Sequence, residues 1–198
     1  LQSHSPIGST AGEHQVYISF GYVLGLVAQG KSKISILDWG GAFGHFLLYA
    51  KRLFPSLSID YTCKELPLLA EQGRLANREA KFVDSDEAAF SRCYDLVFVN
   101  ASLQYSDDWI ETLEGLVSVT SSWLYVSRVH LVSKIITQNY SDRAYESDIQ
   151  VWAINRNDFL EASRRCGLVK RHEMHTFETL PSPFGELEGR SFLFEKLN

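Results

Sequence analysis

Apolar positions along the chain change their period several times. From Glu13 to Ala28, Val16, Phe20, Val23, Leu24 and Val27 recur at helical spacing, and Gly30 stops that helix. Ile34-Ser35-Ile36-Leu37 is a short β-branched run and predicts a buried strand. Phe46, Leu47, Ala50 and Leu53 return to helical spacing, ended by Pro55. Leu57 to Cys63 alternates like a strand, Leu66 to Asn77 reads as helix, and Ala80 to Val83 as a third strand. Tyr94-Asp95-Leu96-Val97-Phe98-Val99-Asn100 is the clearest strand of the chain. Trp109 to Val119 predicts a helix, and Trp123 to Val129 a fifth strand.

After Ser133 the pattern loosens, and Lys134 to Asn155 reads as a long irregular stretch holding several aromatic residues. Asn157 to Cys166 predicts a helix capped by Asn157, with Asp158 in its first turn and Gly167 closing it. Leu168 to His175 reads as a strand, Pro181 to Gly189 as a loop, and Ser191 to Lys196 as a last strand antiparallel to its neighbour. Strands alternating with helices imply α/β architecture. The expectation is a Rossmann-like, doubly wound, mostly parallel seven-stranded sheet. It carries an antiparallel C-terminal strand and helices on both faces.

Composition narrows this further. A chain of 198 residues suits one domain over 1–198, with 1–12 a loose, polar lead-in. The 45% hydrophobic fraction supplies a real core, and the net charge of −5 argues against nucleic acid as a partner. Cys63, Cys93 and Cys166 form no CxxC pair, so no metal site is expected, and free thiols point to a cytoplasmic setting. No apolar run approaches the ~20 residues of a membrane span, and no signal peptide is visible.

Candidate chemistry concentrates at the turn after the first strand. Ligands in open α/β sheets bind at the carboxyl ends of strands near the first crossover. Here that place holds Asp38, Gly40, Gly41, Ala42 and Gly44. The glycine spacing departs from G-x-G-x-x-G, and Asp38 would repel a pyrophosphate, which disfavours a nicotinamide dinucleotide. A carboxylate followed by a helix N-terminus suits a zwitterion carrying a positive sulfonium, and S-adenosylmethionine has those groups. Glu65, with Leu66, stands where an acid can accept from two ribose hydroxyls; Asp60 is the rival but falls inside the strand. Asp84 and Ser85 end the third strand, beside where an adenine would lie. Asn100, Ser102 and Tyr105 follow the fourth strand, and Tyr105 offers a π-face to a sulfonium.

Together these residues resemble the class I S-adenosylmethionine-dependent methyltransferases, over roughly Glu13 to Lys196. The turn at Asp38, Glu65-Leu66-Pro67, Asp95 opening a strand, and Ser102-Leu103-Gln104-Tyr105 look like four motifs in order. More narrowly, Asp38-Trp39-Gly40-Gly41, Leu103-Gln104-Tyr105, Arg128, Gln138 and Trp152 are similar to a bacterial methyltransferase group often associated with surface-polysaccharide gene clusters. Ala42 stands where many methyltransferases have glycine, and Ser127 and Val129 replace the group's usual neighbours of Arg128.

The resemblance implies methyl transfer to a small-molecule or saccharide acceptor at oxygen or nitrogen. His130, just past the fifth strand, is the candidate base, since its ordinary pKa near ~6.5 suits that role. Arg128 is a candidate clamp for an anionic substrate. His14 and Tyr17 could close over the cofactor. The stretch 134–155 would be an insertion on the substrate side, a lid rich in rings. The alternative is a non-catalytic Rossmann-like domain serving as a binding or assembly partner.

Overall fold

The strands sort their side chains by parity. In β1 (Lys33–Trp39), Ile34 and Ile36 face one side while Leu37 and Trp39 face the other; in β4 (Tyr94–Asn100), Leu96 and Phe98 oppose Val97 and Val99. With both faces apolar, both must be covered. The computed structural model, which describes residues 11–133, 136–144 and 147–197, shows two sets of helices doing so. α1 (Ala11–Val27), α2 (His45–Leu53) and α3 (Pro67–Ala76) pack on the first face. α4 (Asp86–Ala89), α5 (Trp109–Ser118) and α6 (Arg156–Arg165) pack on the second.

The remaining strands are β2 (Ser58–Lys64), β3 (Lys81–Val83), β5 (Thr120–Val132), β6 (Gln138–Ala144), β7 (Ser147–Asn155), β8 (Leu168–Ser182) and β9 (Gly185–Lys196). The main sheet runs β3-β2-β1-β4-β5-β9-β8. β1 to β5 are parallel, and β9 is antiparallel to both β5 and β8. The mostly parallel Rossmann-like sheet with an antiparallel C-terminal strand is thus present, but it carries nine strands instead of seven.

The two extra strands correct the reading of 134–155. Within it, β6 and β7 form an antiparallel hairpin, Tyr140 opposite Val151 and Asn139 opposite Trp152. β7 then joins the end of β5 in parallel, Leu131 beside Ile154 and Val132 beside Asn155. β6 carries no apolar period, and Trp152 and Ile154 interrupt the alternation of Ile149, Val151 and Ala153 in β7, so the pairing is what reveals the hairpin. The expected loop 181–189 is likewise mostly strand. β8 and β9 run on past the main sheet to a turn at Ser182–Gly185, where the Ser182 hydroxyl donates to the Gly185 carbonyl at 2.7 Å. The last helix begins two residues early. Asn155, not Asn157, is its cap, accepting from the Asn157 and Asp158 amides at 2.8 and 3.4 Å. Of the expected lead-in, residues 11 and 12 belong to α1, and the rest lies outside the described residues.

Asp95, expected to open a strand, locks the starts of β1 and β4 together. Its carboxylate accepts from the Ser35 amide and hydroxyl at 2.7 and 2.8 Å and pairs with Lys31 at 2.7 Å. It sits at the end of the sheet opposite the glycine turn. Among the described residues, no helix is long and apolar enough to cross a membrane.

Phe98 sits at the centre of the first face, fully buried. Its ring lies 4.9 Å from Phe20 of α1, 4.8 Å from Phe46 of α2 and 5.5 Å from Tyr125 of β5. It therefore fastens both helices that flank the glycine turn. Phe98→Ala is expected to lower the unfolding free energy by about 3–5 kcal/mol, as large-to-small ring deletions in cores do. Urea denaturation followed by tryptophan fluorescence measures it, and a loss under about 1 kcal/mol would show that the cavity collapses.

Candidate functional site

The carboxyl ends of β1, β2, β4 and β5 open into a cleft of about 1240 Å³. Its floor is the turn after β1. Gly40 has φ 73°, and a Cβ there would strike the Ser102 side chain. A Cβ on Gly41 would run into the Asp38 carboxylate. The turn is thus pinched between Asp38 below and the β4 loop beside it, and the Ser102 hydroxyl donates to the Gly40 carbonyl at 3.2 Å. Gly44 lies behind the cleft wall, capping α2, with its carbonyl accepting from Asn77 at 2.9 Å.

Asp38 has the same parity as Ile34 and Ile36, so its carboxylate points into the buried face and is wholly shielded from solvent. The Tyr61 hydroxyl donates to Oδ2, while Oδ1, at the cleft floor, accepts no hydrogen bond. Burial pushes the Asp38 pKa up to about 7; the Tyr61 hydrogen bond pulls it down, and the Glu65 charge adds to the rise.

Glu65 follows β2 and stands over the turn. Its carboxylate accepts from the Ala42 amide at 3.0 Å and the Leu66 amide at 2.8 Å, which aims it along the cleft wall. A carboxylate has about four acceptor sites, so two remain for a ligand. Asp60 is excluded as its rival, since it pairs with Arg92 at 2.7 Å and does not line the cleft.

Beyond β3 the expected residues are displaced. Asp84 turns away to Arg74 at 3.1 Å, and Ser85 caps α4 by accepting from Ala88 at 3.2 Å; neither lines the cleft. Asp86, one turn of chain further on, takes that place. It accepts from the Trp39 indole at 2.6 Å and pairs with Lys64 at 3.1 Å, whose ammonium stands 4.6 Å over the Trp39 ring. The Asp84-Ser85-Asp86 run carried the signal, but the position of the cap decides which acid faces in. His45, which sequence reasoning missed, opens α2 on the cleft wall, and burial lowers its pKa. Tyr17 packs on His45, Phe46 and Tyr49, so it serves the wall instead of closing over the cleft; His14 is exposed.

On the β4 and β5 side stand Asn100, Ser102, Tyr105 and Arg128. Asn100 Oδ1 is buried and accepts no hydrogen bond. His130 departs from expectation. It lies behind the cleft, only 4% exposed, with Nδ1 3.2 Å from the buried Gln104 amide. The reason is a shift of register in β5 between Val126 and Val129, which turns Arg128 outward and His130 inward.

Three non-glycine residues among those described have positive φ: Ala42 (49°), Ala101 (55°) and Arg128 (55°). Each follows or interrupts the end of a parallel strand, and all three line this cleft. Left-handed backbone costs roughly 1–2 kcal/mol at such residues, and strain of this kind collects where geometry serves a ligand. The β6–β7 hairpin packs behind this side and, among the described residues, lends none to the cleft lining. Trp152 donates to the Ser106 carbonyl at 3.0 Å, just after the 3-10 turn Leu103–Tyr105. Burial, then the nearby Asp142 and Tyr105, raise the Tyr140 pKa.

No family model matches the chain, and no curated protein matches it in sequence. Solved structures do match in shape. The N-terminal domain of EvdMO1, in the presence of S-adenosylhomocysteine and D-fucose, is 15% identical; the match covers 93% of this chain and 84% of that one, with a TM-score of 0.67. Magnesium protoporphyrin IX methyltransferase of Synechocystis PCC 6803 with bound S-adenosylmethionine is 15% identical over 96% and 86%, with a TM-score of 0.63. The 1,6-didemethyltoxoflavin-N1-methyltransferase of Burkholderia thailandensis, bound to 1,6-didemethyltoxoflavin and S-adenosylhomocysteine, is 13% identical over 98% and 93%, with a TM-score of 0.61. This chain has their fold.

The Asp38 carboxyl, raised from the ~3.9 of an unfolded chain, makes the ligand-free protein take up a proton on folding between about pH 4 and 7. Its contribution to stability is therefore lost as pH rises through that window. Asp38→Asn is expected to be more stable than wild type at pH 8 by about 2–4 kcal/mol, with the difference vanishing near pH 4. Chemical denaturation at both pH values measures it. An equal difference at both would place the Asp38 pKa in the ordinary range.

Proposed function

We propose that this protein transfers a methyl group from S-adenosylmethionine to a small acceptor at oxygen or nitrogen. The observation that carries the reading is the Asp38 carboxylate, buried at the floor of a glycine turn with Oδ1 unpartnered. A buried carboxylate in that state asks for a cation, and the ammonium of the methionine moiety supplies one. Asn100 Oδ1 accepts from the same group. Gly40, Gly41 and Ala42 let the backbone approach it, Glu65 accepts from the ribose hydroxyls, and Leu66 with Asp86 flanks the adenine. The bound proteins of the same fold, with S-adenosylmethionine or its product, support the assignment.

The cleft divides naturally. The donor lies over β1 and β2, and the acceptor enters over β4 and β5, between Tyr105 and Arg128. Methyl transfer is an in-line displacement at a carbon already activated by sulfur. Holding nucleophile, methyl and sulfur in line can supply roughly 7–11 kcal/mol. With His130 turned inward, the chain's contribution is alignment, Tyr105 presenting its ring to the sulfonium. A saccharide acceptor is the favoured class, consistent with the resemblance to the polysaccharide-associated group and with D-fucose in the EvdMO1 structure.

Calorimetric titration with S-adenosylhomocysteine tests this. Binding in the micromolar range at pH 8 is expected, weakening about tenfold by pH 6 as Asp38 takes up its proton and loses its charge. In Asp38→Asn the affinity is expected to be low at both pH values. Absence of binding at millimolar ligand would sink the reading.

A further inference from the structure

The cleft holds the charge of this protein. Among the described residues, seven carboxylates line it against two cations, Lys64 and Arg128. That excess of five negative charges equals the formal net charge of the whole chain, so the acids and bases elsewhere balance. Away from the cleft, acids are drawn into pairs, as Asp60 is to Arg92, Asp84 to Arg74 and Asp95 to Lys31. Within it, Lys64 is held by Asp86 at 3.1 Å. His45 adds no positive charge at pH 7 and above, because burial lowers its pKa.

Four of the seven carboxylates, Asp107, Asp108, Glu111 and Glu114, crowd the start of α5. Asp108 has a structural duty there, capping the helix by accepting from the Ile110 and Glu111 amides at 2.8 and 3.1 Å. The rest exceed what a helix start asks for. Glu111 and Glu114 are like charges three residues apart, on a helix that contains no Lys or Arg. None of the four joins an ion pair among the described residues. At the floor, Asp38 is wholly buried and its Oδ1 accepts no hydrogen bond. The thiol beneath the turn registers the same field: burial first, then the Asp38 and Glu65 charges, raise the Cys63 pKa. An unpartnered buried carboxylate and an unpaired acidic rim thus face one space, and both favour a cation in it.

Methyl transfer changes the charge of the cofactor. A lone pair of the acceptor forms the new bond to carbon, the carbon–sulfur bond breaks, its electron pair stays on sulfur, and the acceptor's proton leaves to solvent. S-adenosylmethionine carries one net positive charge, and S-adenosylhomocysteine carries none. Low-dielectric walls lined by one sign of charge focus their field on whatever enters. We infer that the cleft sorts its cofactor by charge, holding S-adenosylmethionine more tightly than S-adenosylhomocysteine, with Asp107, Glu111 and Glu114 of the rim as specificity-determining residues. Each turnover then weakens the hold on the cofactor, and fresh donor displaces the spent one. This rests on the methyl-donor reading given under the proposed function, and adds that the site selects the donor against its own product.

The test is calorimetric titration at pH 8 and low ionic strength with S-adenosylmethionine, S-adenosylhomocysteine and sinefungin, an analogue with a carbon-borne ammonium in place of the methylsulfonium. The two cationic ligands are each expected to bind about tenfold more tightly than S-adenosylhomocysteine, and the ratio to fall about threefold or more in roughly 0.5 M salt as the field is screened. The triple variant Asp107→Asn, Glu111→Gln, Glu114→Gln leaves the Asp108 cap in place. It is expected to cut the preference about threefold or more through weaker binding of the cations, with S-adenosylhomocysteine affinity changed less than about twofold. The neutral product thereby reports that the fold is intact. Equal affinity of wild type for S-adenosylmethionine and S-adenosylhomocysteine, or a preference that the triple variant leaves in place, overturns the inference alone. Failure of all three ligands to bind at millimolar concentration overturns the donor reading, and the inference with it.

Discussion

A buried carboxylate under a glycine turn governs one half of the cleft. Asp38 is carried into the interior by the parity of β1, where it has a tyrosine hydroxyl for one oxygen and nothing for the other. Desolvation, with the Glu65 charge adding to it and the tyrosine hydrogen bond opposing it, holds its proton close to neutrality. The turn above it exists in its present shape because no side chain fits between Gly41 and that carboxylate, or between Gly40 and Ser102. Glu65, gripping the amide of Ala42, closes the turn from the other side. The pieces are interdependent: the strand parity buries the charge, the charge demands the glycines, and the glycines open the floor.

The other half of the cleft is built differently, from strain in place of burial. Ala101 and Arg128 hold left-handed backbone at the ends of adjacent parallel strands, and the Ala101 amide is bonded to the bulge that carries Arg128. Hydrogen bonds from Ser191 satisfy what the broken β5–β9 ladder leaves open. The same irregularity that presents Arg128 to the cleft turns His130 to Gln104. One register shift thus keeps Arg128 in the cleft and takes His130 out of it.

The hairpin of β6 and β7 extends this side outward. It is joined to β5 by a short parallel pairing and packed through Tyr140 on Phe184, whose ring centroid lies 5.7 Å away, so the long β8–β9 ribbon supports it. Trp152 bonds it to the segment after the fourth strand. An irregular-looking stretch of sequence is in fact a hairpin held to the sheet by a small core of Val132, Ala153 and Leu187.

Local pattern sufficed for the elements of the parallel sheet, because each buried strand and its helix must announce its apolar face within a few residues. It also sufficed to gather Asp38, Gly40, Gly41 and Glu65 at one cleft, because they fall at the carboxyl ends of adjacent parallel strands. What depended on non-local pairing was invisible. In the hairpin within 134–155, β6 carries no apolar period and Trp152 and Ile154 blur that of β7. Asp86 displaced Asp84 because Ser85 caps the next helix and Arg74 draws the nearer acid away. His130 leaves the cleft while Arg128 stays in it, because of a bulge whose partner, Ser191, lies 63 residues further along the chain. Sequence by itself determined the strand order's raw material and the glycine turn with its acid. Tertiary structure decided which side chains at the strand ends look into the cleft, since a one-residue change of register reverses the face of every residue beyond it.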